Sequence, residues 1–158
     1  MNNENIEMSQ DALDDLTGRY LTFYIGDSFY GIELIDILEI IGIQQITPVP
    51  GLPYYFKGLI NLRGKVVPVI DVRLKFGREE RTYDDKTCII VVTIQGMQVG
   101  LVVDSVAEVV TIENSQKNEP PLLGKNGERY LSSIAKVNNR VILNIDCDKF
   151  FQSDLRPY

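Results

Sequence analysis

The sequence predicts an all-β fold, two small barrels packed through a joint apolar core, and three observations carry that prediction. Short alternating runs of Ile, Val, Tyr and Phe begin at Arg19 and recur to the region of Cys147. Turn pairs such as Arg63-Gly64, Gln95-Gly96 and Asn138-Asn139 separate them. The pattern then restarts halfway along the chain. At 158 residues and 44% hydrophobic content, the chain can build one compact domain or two small ones sharing a core.

Taken in order, residues 1–18 form an acidic leader with five acids and no Lys or Arg, expected to be flexible apart from a short capped helix in "SQDALDDL". Strands follow at "RYLTFYI", "FYGIEL" and "ILEIIG", then a proline-bearing link "TPVPGLPYYF". "GLINL" and "KVVPVIDV" make a hairpin over Arg63-Gly64. A charged link, "GREERTYDDK", leads to "TCIIVVTI", "QVGLVV" and "VAEVVTI", and a polar loop leads to "YLSSIAKV" and "RVILNIDC". The folded part is residues 19–158, with halves at about 19–80 and 86–151 whose terminal strands are open to exchange.

The restart is a weak internal repeat. "GIELIDILEII" from Gly31 lies over "GLVVDSVAEVV" from Gly100 at an offset of 69, pairing Glu39 with Glu108 and Ile37 with Val106. Farther on, at an offset of 75, Leu62 lies over Val137, Lys65 over Arg140 and Asp71 over Asp146. A unit of about 70 residues buries too little alone, so the halves are expected to share a core.

The repeat places Arg63-Gly64 over Asn138-Asn139. Asn-Asn suits a type I′ hairpin, in which both central residues need positive φ, and Gly64 suits it too; a side chain with a Cβ there costs about 1–2 kcal/mol. A type I turn with Gly64 as bulge residue would leave Arg63 unstrained, so turn chemistry leaves two conformations open. Either way, Arg offers a planar fork of donors on a firmly held tip. Lys57, Lys65, Arg73 and Lys75 are expected to be solvated on the outer face of a sheet.

Enzyme chemistry finds little support. There is no His, hence no Ser-His-Asp or Cys-His pair. "GKNG" lacks the rest of a P-loop, and no GxGxxG occurs. The acid pairs Asp14-Asp15, Glu79-Glu80 and Asp84-Asp85 lie in polar links, where charge is normally solvated, so neither catalysis, a metal nor a cofactor is expected. Asp71, Asp104 and Asp146 end or follow strands and are expected to accept hydrogen bonds from turn amides. Cys88 and Cys147 read as reduced core thiols. Outside the leader, 17 acids balance 16 bases, so no basic stripe exists for nucleic acid. Neither a signal peptide nor a membrane-spanning apolar run is present, and a cytoplasmic protein is expected.

The stretch "GLINLRGKVVPVIDVRLKFG", Gly58 to Gly77, with "YGIELIDILEII", "ITPVPGLPYYFKG" and "VGLVVDSVAEVV", resembles the CheW family of chemotaxis coupling proteins over about Arg19 to Phe151. The resemblance implies two SH3-like five-stranded barrels around a common hydrophobic core, and a non-enzymatic adaptor. It implies two partners, the regulatory domain of the chemotaxis histidine kinase and the cytoplasmic hairpin tip of the chemoreceptors, with a monomer recruited to receptor arrays. Carried over by position, Glu39, Arg63, Cys88 and Val109 match places of receptor or kinase contact, and Ile37 is a partner-binding position on the kinase side. Gly42, Gly58, Gly64 and Gly100 match structural or kinase-side surface positions, with backbone geometry the leading reading for Gly58 and Gly100.

Departures from the family pattern are Ile41 where Arg is frequent, Ser133 and Ala135 where glycines are frequent, and Asn144 where an aliphatic is usual. The alternatives are a CheW-like domain cut from a larger protein, either a receiver-containing coupling protein or the kinase, and an unrelated ligand-binding barrel.

Overall fold

Alternating β-branched and aromatic residues produce strands that each present one face to a core. In the computed structural model, which describes residues 16–120 and 130–151, they form two sheets. The acidic leader through residue 15, with most of the expected "SQDALDDL" helix, lies outside the described residues. The strands are β1 (Arg19–Ile25), β2 (Ser28–Glu33), β3 (Ile37–Gly42), β4 (Phe56–Leu62), β5 (Lys65–Asp71), β6 (Cys88–Ile94), β7 (Met97–Val103), β8 (Ser105–Thr111), β9 (Lys117–Asn118), β10 (Leu131–Val137) and β11 (Arg140–Ile145). Sheet I runs β8-β1-β2-β11-β10-β9, and sheet II runs β3-β6-β7-β5-β4.

Each sheet therefore mixes the two halves of the chain. Replacing every strand of sheet II by its counterpart in the repeat gives β8-β1-β2-β11-β10, the order of sheet I without its short edge strand β9. The halves have exchanged their first hairpins. The parallel seams match as well: Gly31 lies opposite Asn144 in one, and Gly100 opposite Val69 in the other. Both glycines sit where a Cβ would meet a neighbouring side chain, Asn144 Oδ1 at 2.6 Å for Gly31 and Ile89 Cγ2 at 2.9 Å for Gly100.

The sheets curl into two SH3-like five-stranded barrels around a common core. Phe23, Ile25 and Tyr30 of sheet I meet Ile70, Ile90 and Leu101 of sheet II, all buried, each contributing about 1.5–3 kcal/mol by leaving water. A smaller cluster fills each barrel, Ile60, Val67 and Val91 in one and Tyr20, Phe29 and Ile142 in the other.

Strand prediction ran too far at two places. Val72, read as strand, starts the one-turn helix α1 (Val72–Lys75), and Cys147 starts α2 (Cys147–Phe151). Asp71 caps α1 by accepting the Leu74 amide at 3.2 Å, and its repeat mate Asp146 accepts the Lys149 amide at 3.1 Å. The expectation that these aspartates serve turn amides holds. So does that for Asp104, whose Oδ2 accepts the Gly26 amide at 2.7 Å.

Two lysine-and-arginine expectations do not hold. Lys75 is buried, its Nζ 4.7 Å from the Tyr55 ring centroid and 4.9 Å from that of Phe150. Arg73 donates to Asp104 through Nη2 at 2.9 Å and Nε at 3.3 Å. The link between the halves is tied down in the same region: Arg78 donates to the Ile25 carbonyl and Ser28 Oγ, Arg81 to Asp104, and Tyr83 Oη to Asp71.

The family departures Ser133 and Asn144 turn out to be partners. Asn144, fully buried, donates from Nδ2 to Ser133 Oγ at 2.9 Å. Its Oδ1 has no hydrogen-bond partner among the described residues and faces the room left by Gly31, at a cost of about 1–3 kcal/mol. A polar pair thus stands where the other barrel has Gly58 and Val69.

Candidate functional site

The tip at Arg63 is built by three local rules. Leu62 and Lys65 close the β4–β5 ladder, which leaves two residues to turn the chain. Both have positive φ, 51° at Arg63 and 81° at Gly64, and this makes the type I′ turn. Of the two conformations that the sequence left open, the strained one is adopted. Gln95 shares that φ of 51° in the β6–β7 hairpin, so strain alone does not mark Arg63 as functional.

What distinguishes Arg63 is where its fork goes. Its Nη1 donates to Glu39 Oε2 at 2.7 Å and its Nη2 to Glu39 Oε1, a bidentate pair between the hairpin tip and β3. The hairpin and β3 are opposite ends of sheet II in hydrogen-bonding order, so the pair crosses the gap between the sheet's two edges. Arg63 stays 72% exposed in its side chain while Glu39 is 20% exposed. The pair is internal to the chain, yet the guanidinium faces outward with two of its five donors engaged by Glu39. The hydrogen bond from Arg63 holds the Glu39 carboxyl below its ordinary range, and Glu39 raises Arg63 in turn.

Several other expected positions share this ladder. Glu39 lies opposite Val91 and Gly42 opposite Cys88, both on β6, with Ile37 two residues before Glu39 and packed against the shared core. Cys88 is half-buried, its thiol 3.3 Å from the Lys86 carbonyl oxygen; the expectation of a core thiol holds fully for Cys147 alone. Val109 belongs elsewhere, on edge strand β8 of sheet I, exposed opposite Leu21.

The glycines divide. A Cβ at Gly58 would lie 2.0 Å from the Thr47 carbonyl oxygen at a φ of 136°, Gly64 has its positive φ, and Gly100 has the close approach of the Ile89 side chain already given. Gly42 has none: its φ is ordinary and no atom would touch its Cβ within 4 Å. Its smallness serves no contact among the described residues.

The other face of β3 is apolar as well. Leu38 and Ile40 alternate with Glu39 and point to solvent, 52% and 43% exposed, on a strand whose outer edge pairs with no other named strand. "ILEIIG" is apolar on both faces where a half-buried strand would alternate, a composition expected where a second barrel or a partner protein covers a sheet face.

Such a site can hold an apolar surface by its edge and fix its register with a charged fork, and it has the parts of a contact surface. A family model described as a CheW-like domain matches residues 19–155. A chemotaxis protein CheW from Klebsiella aerogenes is 33% identical over 136 residues, 85% of this chain and 82% of that protein. That of Bacillus subtilis is 32% identical over 131 residues, 82% of this chain and 84% of that protein. The crystal structure of the scaffolding protein TtCheW from Thermoanaerobacter tengcongensis superposes with a TM-score of 0.82 at 31% identity, covering 89% of this chain and 97% of that one.

Proposed function

The chain belongs to the CheW-like family, a family of chemotaxis coupling adaptors, and from that premise we propose that it couples chemoreceptors to the chemotaxis histidine kinase. In this reading it binds the cytoplasmic hairpin tip of the receptors and the kinase's regulatory domain at separate faces. It works without catalysis, in the cytoplasm beneath the membrane, and reaches the membrane through the receptors. No described helix is long and apolar enough to cross a bilayer.

The observation that carries the reading is the Arg63–Glu39 pair. A turn that favours Asn holds instead an exposed cation, aligned in advance by a carboxylate. Such alignment reduces the side-chain entropy lost on binding, and hydrogen bonds to charge are the stronger ones. A helical hairpin laid over the exposed edge at β3 would find aliphatic side chains at Leu38 and Ile40 on one side of that edge and a charged register point at Arg63 on the other. Gly42 and Cys88 form a low stretch of the edge that allows close approach of the kinase domain, with Ile37 behind it and Val109 on the second barrel.

Arg63→Asn tests the reading, because it installs the residue that the repeat carries at the same turn. Its thermal midpoint is expected to equal or exceed that of the parent, since Asn tolerates positive φ. Affinity for a receptor-tip fragment should fall about tenfold or more, while affinity for the kinase regulatory domain stays within about twofold. Unchanged receptor-tip affinity in this variant would overturn the assignment of Arg63.

A further inference from the structure

A two-residue hairpin leaves the amides of both turn residues without ladder partners. Here the flanking pair Leu62 and Lys65 carries the last ladder contacts, and the Gly64 amide lies between them inside the turn. Asn61 supplies its partner, Oδ1 accepting the Gly64 N–H at 3.0 Å. The peptide so held is the one joining Arg63 to Gly64, and its orientation sets the Arg63 backbone from which the guanidinium starts. In the repeat, the position of Asn61 is taken by Lys136, which has no acceptor to offer, and the tip there is Asn138-Asn139 with no fork to aim.

We infer that Asn61 is the positioning residue of the contact tip, accepting the Gly64 amide so that Arg63 is held at the angle from which its fork meets Glu39. The inference rests on the reading of Arg63 as a contact residue, but the positioning itself can be measured without any partner. Asn61 is exposed and its side chain packs into no core, so it has little other structural work. Without its bond the peptide would be free to rotate between the two turn conformations that the sequence alone allows, only one of which presents Arg63 to Glu39 as observed.

The experiment compares Asn61→Ala, Asn61→Asp and the control Lys136→Ala in the full chain by NMR. Asn61→Ala is expected to speed hydrogen exchange of the Gly64 amide about tenfold and to move the Glu39 carboxyl titration up toward the ordinary carboxylate range, with the rest of the spectrum native. Asn61→Asp keeps an acceptor and should restore the Gly64 protection, and Lys136→Ala should change neither signal. An unmoved Glu39 titration in Asn61→Ala overturns the inference. Binding to a receptor-tip fragment then separates the two claims: Asn61→Ala and Arg63→Ala should weaken it with no further loss in the double variant. If Glu39 moves but neither variant affects binding, positioning stands and the contact role of Arg63 falls.

Discussion

Gly58→Ala is expected to destabilise the fold by about 3 kcal/mol or more, read as a lowered urea midpoint at unchanged slope. The new Cβ would stand 2.0 Å from the Thr47 carbonyl oxygen, 2.7 Å from its carbon and 2.9 Å from Pro48 Cα, all backbone atoms that no rotamer change can move aside. The φ of 136° adds strain that no side chain relieves. Relief would break the pair of bonds between Thr47 and Leu59, 2.8 and 2.9 Å, which ties the proline-bearing link to β4. Gly42→Ala is the control, expected within about 0.5 kcal/mol of the parent, since its Cβ meets nothing and its φ is ordinary. Equal stability of the two variants would contradict this account of Gly58. The contrast also has a functional use. Lost partner binding in a Gly58 variant would report the fold, whereas in a Gly42 variant it would report the surface.

Asp104→Asn is expected to cost about 2 kcal/mol at neutral pH, measured by the same denaturation. The Asp104 carboxylate joins elements that the sequence separates widely: Arg73 after β5, Arg81 in the link, and the Gly26 amide of the β1–β2 turn. It is largely buried, and so is Arg73, which would lose its partner; Arg81 is half exposed and its share is discounted for screening. Burial alone would raise the Asp104 carboxyl, but the hydrogen bond from Arg73, the Gly26 amide and the charges of Arg73 and Arg81 outweigh it and hold it below its ordinary value. A carboxyl lowered in the folded state contributes stability above its unfolded value of 3.8 and loses it as pH falls through the folded value. The gap between parent and Asp104→Asn should therefore be constant above that pH and close below it. A gap that persists unchanged into strong acid would contradict the ion-pair account.

Much of this fold was legible in the sequence because a strand announces itself locally. The period-two runs located the strands, and Gly31 over Gly100 and Asp71 over Asp146 located the repeat; the structure gives these pairs equivalent places in the two sheets. Which strands become neighbours is a different kind of information. Alternation in β1 or β6 marks an inward face and does not say whose core it faces, so the exchange of hairpins could be left open but not read. One-turn helices such as α2 are too short to show a helical period, and Cys147, its first residue, passed as the end of a strand.

Charge was the hardest to place. Arg73 and Lys75 belong to "VRLKFG", which has the composition of a solvated surface, and only the tertiary arrangement supplies Asp104 for one and a set of rings for the other. For the site, the internal comparison of Arg63-Gly64 with Asn138-Asn139 singled out the arginine, and the repeat paired Glu39 with Glu108. That Arg63 and Glu39 meet across the open side of sheet II required the barrel to close. Ser133 and Asn144 were noted separately as departures, and their hydrogen bond makes them a single change.

The central claim is that one small chain presents separate surfaces to a receptor tip and to a kinase domain, with Arg63 on the first. The most direct measurement is an NMR titration of the isotope-labelled chain with each partner in turn, repeated on Arg63→Ala. The account predicts shifts confined to two patches, one around Arg63, Glu39 and Leu38, with that patch alone lost in the variant while its spectrum stays folded. Absence of shifts with both partners, or identical patches that Arg63→Ala leaves untouched, would contradict it.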